Sequence, residues 1–287
     1  MFENDTDYTI PYCKVVGETL PEAWEKALVA CLSNHGRYRT QYDLEDEEFS
    51  KDISLMMVVK KPFSEPRIHK AIPCGIDDLE IYRQEVVDGI KDSWIDPGSG
   101  KWQYTYHQRI HNYTVPQRGA HRNGIEFDAD LVIDQMAYVI ETLAKTPHSR
   151  RAQINIWKVW EDIEEEYPAC LQNLWFRINT NDELVLHAFM RSNDAFKACF
   201  MNMYAFTSLQ EKVAKKLSER LDKVIKVGYY CHIVNSFHVY GKDLTAAYGL
   251  WEKIKSEPIE KRIFNTSSVA DIIREAHDKA REIIRRS

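Results

Sequence analysis

Apolar and polar positions recur with two different periods along the chain, and these periods place most of its elements. Leu20–Leu32 (LPEAWEKALVACL) carries apolar residues at helical spacing, with Pro21 set for a first turn. Ile53–Val59 (ISLMMVV) is an unbroken apolar run of strand length. It ends in KKPFSEPRIHK, where prolines and cations mark a loop. Ile76–Ile90 reads as a helix, Asp96-Pro-Gly-Ser-Gly100 as a turn, and Phe127–Leu143 as an amphipathic helix closed by Lys145-Thr146-Pro147. In the second half, Ala152–Trp157, Leu171–Ile178 and Leu184–Met190 read as strands, the last two joined by a hairpin turn at Asn179–Asp182. Met201–Leu217 is a long helix, Val227–Tyr240 a strand with aromatics on both faces, and Val269–Arg285 a charged amphipathic helix. There is no internal repeat, low-complexity stretch or interdomain linker. The pattern predicts one α+β domain with a large mixed, twisted sheet flanked by helices.

Composition narrows the function classes. Eleven per cent aromatic residues and seven Trp exclude a disordered chain. Lys and Arg number 38 against 44 Asp and Glu, a net charge of −6, which argues against a duplex-binding surface, and no nucleic-acid partner is expected. The six cysteines form no CxxC and no regular framework, as in a cytoplasmic protein with reduced thiols. The opening MFENDTDYTI is acidic and lacks the apolar stretch of a signal peptide, and no apolar run approaches membrane-spanning length.

Several polar groups sit where chemistry could use them. Cys170 follows Tyr167-Pro-Ala at the start of a strand; a free Cys is usually an inert small hydrophobe, and reactivity needs a nearby cation or donor. Arg150 and Arg151 fall between a helix end and a strand, where paired guanidinium groups suit a dianionic phosphate or, equally, a solvated helix terminus. Arg191-Ser192-Asn193-Asp194 ends an apolar strand, and Asn202 follows eleven residues after Arg191. These polar groups need partners, from a turn or from a ligand. His238 and Tyr240 place two polar rings on one face of a strand, as a satisfied core pair or as a binding edge.

The order is more informative than any one segment: SRR, then PxC before a strand, then RSxD, the Asn, and HxY. In this order and at nearly these intervals the chain resembles the thymidylate synthase superfamily, which includes the deoxycytidylate and deoxyuridylate hydroxymethylases. The resemblance runs from about Ile53 to Leu244, with residues 1–50 as an N-terminal extension packed on a catalytic domain of residues 51–287. Upstream, Leu79–Tyr82 and Tyr106 fall where that family carries its general-base glutamate and active-site tyrosine. PFSEPRIHK resembles its phosphate loop, with Arg67 as the candidate.

The resemblance implies roles that the chemistry makes intelligible. Uracil C5 is a poor nucleophile until a thiolate adds at C6, so Cys170 would be the covalent catalyst. The C5 carbon then attacks the methylene of 5,10-methylenetetrahydrofolate, or of a modified folate. Glu80, through water and with Tyr106, would move protons, and Asp194 would hold the pterin. Arg67, Arg191 and Ser192 would bind the phosphate of a pyrimidine nucleoside monophosphate. Arg150 and Arg151 would reach the phosphate in the partner subunit of a homodimer. Asn202 would read the base, and His238 and Tyr240 the sugar 3′-hydroxyl.

Departures also appear. Leu171 stands where bacterial synthases have His, Trp175 where they have Gln, and Ala198 where they have Gly; Phe200-Met201-Asn202 replaces PFN, and the C-terminal EIIRRS is not their apolar tail. The pattern resembles a divergent, archaeal-type branch. Reductive methylation of dUMP to dTMP is the implied reaction. Water attacking in place of hydride would make the chain a dUMP, dCMP or CMP 5-hydroxymethylase. Asn202 favours uracil, because the deoxycytidylate enzymes carry Asp there. A non-catalytic nucleotide- or RNA-binding homologue is the reading from another class.

Overall fold

Two strand–helix–strand crossovers supply the frame of the sheet. In the first, β1 (Tyr12–Gly17) and β3 (Ser50–Val59) run parallel, connected through α1 (Leu20–Ser33). Thr19 caps α1 by accepting from the Glu22 amide, with Pro21 in the first turn. Gly17 is required at the junction, since a Cβ there would lie 2.5 Å from the Ala23 nitrogen. In the second crossover, β6 (Glu183–Asp194) and β7 (Lys226–Val239) run parallel around the long helix α5 (Cys199–Leu221). In this computed structural model, residues 10–34, 36–40, 42–43, 45–99, 102–116, 120–122, 125–127 and 130–286 are described.

Three further strands complete a seven-stranded mixed sheet. β2 (Gly36–Tyr38) pairs with the first residues of β3; β4 (Gln153–Asn155) and β5 (Leu171–Ile178) pair antiparallel. The order is β1-β3-β7-β6-β5-β4, with β2 beside the start of β3. Around it lie α2 (Ile76–Asp88), α3 (Tyr106–His111), α4 (Gln135–Lys145), α6 (Leu244–Ser256) and α7 (Ala270–Arg286). The α+β class and mixed sheet read from the sequence are those of the protein. The N-terminal segment does more than pack on the core, because β1 and β2 are strands of the main sheet itself.

The helix expected over Phe127–Leu143 begins only at Gln135, where Asp134 caps it by accepting from the Ala137 amide at 2.9 Å. Leu131–Ile133 instead pairs antiparallel with Tyr113–Val115, as its β-branched residues favour. Ile125–Phe127 pairs with Ala120–Arg122, and residues 128 and 129 lie outside the described residues. The strand expected over Ala152–Trp157 is confined to Gln153–Asn155. Of the turn at Asp96–Gly100, Pro97–Ser99 forms a single 3-10 turn, and Gly100 lies outside the described residues, as do residues 1–9.

One face of the sheet is covered by α1 and α5. Trp24 is fully buried there, and its Nε1 donates to the carbonyl of Ala195 at 2.8 Å, tying α1 to the chain just beyond β6. The opposite face carries the ring series Trp175, His187 and Tyr229, with centroids 5.0 and 5.6 Å apart, and Met56 and Tyr229 are exposed on it. Among the described residues no helix is long and apolar enough to cross a membrane.

Of the ladder's three slips among the described residues, one falls between Leu184 and Leu186, and the other two lie in line with each other. Leu171 pairs with Met190 but Asn173 with Phe189, so β5 gains a residue there; β7 gains one between Val234 and Phe237, against β3. Both irregularities flank Met190 of β6. An added residue sharpens the local twist and turns later side chains to the other face. Beneath this kink runs a buried polar chain. His232 Nε2 meets Asn193 Oδ1 at 2.9 Å and its Nδ1 meets the Tyr230 hydroxyl at 2.6 Å.

Burial pushes the His232 imidazole down to about 3. Its unfolded-state value is about 6.5, so unfolding takes up a proton at lower pH. This contribution is complete above pH ~6.5 and is lost as pH falls towards 3, by about 1.4 kcal/mol per unit. Urea denaturation of the wild type should therefore weaken more steeply between pH 6 and 4 than that of His232→Gln, by one proton's worth of slope. Equal slopes would show that His232 is protonated in the fold.

Candidate active site

A cleft of about 350 Å³ opens where β6 and β7 end and β5 begins. The kink beside Met190 lies in its floor. Cys170, half-buried, enters from the residue before β5, and its carbonyl accepts from the Arg191 amide at 2.9 Å. Arg191 also fixes the approach to the thiol, donating from Nε to the Ala169 carbonyl at 3.1 Å and from Nη2 to Pro168 at 2.7 Å. The Tyr106 hydroxyl accepts from the Leu171 amide at 3.2 Å from the other side. Burial pushes the Cys170 thiol up, and the Arg191 guanidinium acts against it.

A second tether holds this loop from behind. Asp162, fully buried, pairs with Arg109; its Oδ2 accepts from the Lys158 amide at 2.6 Å and its Oδ1 from the Ala169 amide at 3.3 Å. Arg109 is itself buried and lies over the Tyr104 ring at 4.7 Å.

The opposite wall is polar. Asp194 Oδ1 accepts from the amides of Phe196 and Lys197, at 2.9 and 2.8 Å, closing the turn into α5. Burial raises its pKa, opposed by those bonds and by His238. Asn202, on the first turn of α5, is buried, and its Oδ1 accepts from the Tyr82 hydroxyl at 2.5 Å. His238 Nδ1 lies 3.3 Å from Ser236 Oγ, which donates to Asp52 at 2.6 Å; His238 Nε2 is buried without a partner in this site. An unpartnered buried ring nitrogen in a cleft is a place for a ligand hydroxyl. Tyr240 meets the His238 ring edge-on at 4.6 Å, and Ser192 lines the floor.

Cys170, Tyr106, Asp194, Ser192, Asn202, His238 and Tyr240 are thus brought together, and Arg191 braces the Cys170 loop. Glu80, Arg67, Arg150 and Arg151 do not line this cleft. Glu80 is buried on the other side of α2, bonded to Arg83 at 2.7 Å and to His277 of α7 at 2.7 Å. Residues two apart on a helix point about 200° apart, so when Tyr82 faces the cleft Glu80 cannot. Arg67 is buried between the rings of Phe63 and Tyr204, at 4.0 and 4.3 Å, and donates to Thr207 Oγ1 at 2.8 Å. Its cation is spent on packing. Arg150 and Arg151 are exposed beside β4. Tyr82 and Lys197 are polar cleft residues that the motif order passed over, and for Tyr82 the helical phase of Leu79–Tyr82 held the signal.

A sequence model of the family described as Thymidylate synthase matches residues 75–277. The chain belongs to the thymidylate synthase family. A Methanosarcina mazei protein named "Putative thymidylate synthase" is 28% identical over 228 residues, 79% of this chain and 88% of that protein. The Haloferax volcanii thymidylate synthase is 29% identical over 172 residues, 58% of this chain and 47% of its own. Among solved structures, thermostable thymidylate synthase A from Bacillus subtilis shares the fold. Its TM-score is 0.58 at 16% identity, over 80% of this chain and 83% of that one. These relatives include archaeal proteins, as the departures from the bacterial pattern led one to expect.

The buried Arg109–Asp162 pair yields a stability test. Removing Asp162 leaves buried Arg109 to the partly exposed Glu161, at 3.4 Å, and strips the Lys158 and Ala169 amides of their acceptor, at a cost of about 3–5 kcal/mol. Asp162→Ala should lose that much in urea denaturation, whereas a change below 1 kcal/mol would show the pair to be solvated.

Proposed function

We propose that the protein is a thymidylate synthase that converts dUMP to dTMP through a covalent bond between Cys170 and C6 of the base. The observation that carries this is the convergence of Cys170, Asp194, Asn202, His238 and Tyr240 on one cleft of a thymidylate synthase family chain. In this reading the Asn202 amide faces the base. The partnerless Nε2 of His238 and the Tyr240 hydroxyl meet the sugar 3′-hydroxyl. Ser192 takes a phosphate oxygen, and Arg191 sets the field at the phosphate end.

The Cys170 thiol needs activation, because burial holds it above the ordinary range. The Arg191 guanidinium supplies part of it. Tyr82 and Tyr106 hold their protons, since burial raises both well above the usual phenol range, so each acts as a donor. The carboxylate that can accept a proton in this cleft is Asp194, made more basic by burial. Its two recorded bonds fall on Oδ1, which leaves Oδ2 for the N–H edge of a pterin, so a folate or modified folate fits the residues present. When bound, the folate supplies the one-carbon unit and the hydride.

Arg150 and Arg151 are exposed on the chain that carries them, and the open sheet face bears the rings of Trp175, His187 and Tyr229. Both features support a homodimer in which these arginines complete the partner's phosphate site. The cytoplasm is the compartment that matches six free thiols.

Incubating the protein with C5-tritiated dUMP and methylenetetrahydrofolate should release tritium and give dTMP on chromatography. A 5-hydroxymethyl nucleotide would move the assignment to the hydroxymethylases, and no release would remove the enzyme reading. With 5-fluoro-dUMP and folate, a covalent adduct should form in the wild type and in Cys199→Ala and be absent from Cys170→Ala. Mixed dimers of Arg151→Glu and Cys170→Ala should regain activity through one intact site. Failure to do so after proven subunit exchange would exclude donation across the interface.

A further inference from the structure

We infer that Tyr82 determines which pyrimidine the cleft accepts, by pinning the side-chain amide of Asn202 in one orientation. The inference rests on the reading of the cleft as a pyrimidine-nucleotide site and adds a residue to its recognition of the base.

An amide facing a pyrimidine edge is ambiguous by itself. A 4-oxo base such as uracil offers an acceptor at O4 and a donor at N3–H; a 4-amino base such as cytosine offers a donor at N4 and an acceptor at N3. Turning the amide over exchanges its oxygen and nitrogen and satisfies the other base. Discrimination therefore requires that something hold the amide one way.

Tyr82 is placed to do this. Its hydroxyl donates to Asn202 Oδ1 at 2.5 Å, and Asn202 is itself buried on the first turn of α5. The Asn202 Nδ2 faces Met190 Sδ at 4.0 Å, a weak acceptor that leaves the nitrogen's protons for the base. One lone pair of Oδ1 remains for a donor on that base. If the amide turned over, the phenol would accept from Nδ2 and its own proton would lose its partner. With a base filling the cleft, water could not replace that partner. The lost donor bond corresponds to about a 10- to 100-fold preference for the upright amide.

The phenol also explains why α2 presents Tyr82 here without help from Glu80. Glu80 is turned to Arg83 and His277, so the hydroxyl is the group of this helix that reaches Asn202. The ring contributes separately, as a wall of the cleft, and Tyr82→Phe keeps that wall while removing the hydroxyl.

Binding of dUMP and dCMP, each without folate, is measured by calorimetry for wild type and Tyr82→Phe. The wild type should favour dUMP, and Tyr82→Phe should narrow the ratio of dissociation constants by about 10- to 100-fold. Asn202→Asp supplies the control, because a carboxylate has two equivalent oxygens and no orientation to pin. In that background Tyr82→Phe should leave the ratio unchanged, whereas a merely structural role for Tyr82 would move both backgrounds alike. A wild-type ratio that Tyr82→Phe leaves intact, or a wild type that does not discriminate, overturns the inference. If the wild type favours dCMP and Tyr82→Phe erodes that preference, the role of Tyr82 stands and the dUMP assignment falls. If neither nucleotide binds, both fall.

Discussion

Along a regular strand, successive side chains alternate strictly between the two faces. Cys170 lies just before β5, and Asp194 and His238 face each other as partners in the β6–β7 ladder, so register brings all three to one cavity. The slips flanking Met190, one in β5 and one in β7, sit at the edge of that cavity, where each added residue sharpens the local twist. Along β6, Leu186, Ala188 and Met190 pack into the core, and Met190, Ser192 and Asp194 line the cleft. Beneath the sheet, the buried side chains of Asn193, His232 and Tyr230 satisfy one another.

The nucleophile is held by opposed means. On the cleft side, Arg191 binds three main-chain groups around Cys170 through its own amide and its guanidinium. On the inner side, Asp162 binds the Ala169 amide and is balanced by Arg109. A loop with few apolar side chains is thereby fixed by charge-assisted hydrogen bonds, which are stronger and more directional than packing. The same guanidinium that orders the loop lowers the cost of ionising the thiol, so order and reactivity are coupled at one residue.

Much of this was legible in the chain. The strands and long helices follow from apolar periodicity, and the cleft residues of β5, β6, α5 and β7 follow from the order of the motifs. What escaped had physical reasons. Glu80 and Tyr82 are neighbours in sequence but face opposite ways on α2, and motif position does not state helical phase. Arg67 sits in a loop of the right composition, yet its guanidinium stacks on Phe63 and Tyr204, partners that only the tertiary fold brings near. The apparent early start of α4 came from Phe127 and Leu131–Ile133, whose backbone pairing is cross-strand. Local pattern could not distinguish these contacts from helical ones.

The boundary of the family match and the boundary of the fold are different things. The match begins at residue 75, but β1, β2 and β3 precede it, and the indole of Trp24 bonds the carbonyl beside Asp194. A chain trimmed to the matched region would leave β7 as an edge strand, its long row of amides and carbonyls facing water or another copy of itself. The residues ahead of the match, β3 above all, are thus the sheet's protection against edge-to-edge aggregation. Truncation there would be felt as loss of solubility, and it would also remove Trp24 and Asp52 from behind the cleft.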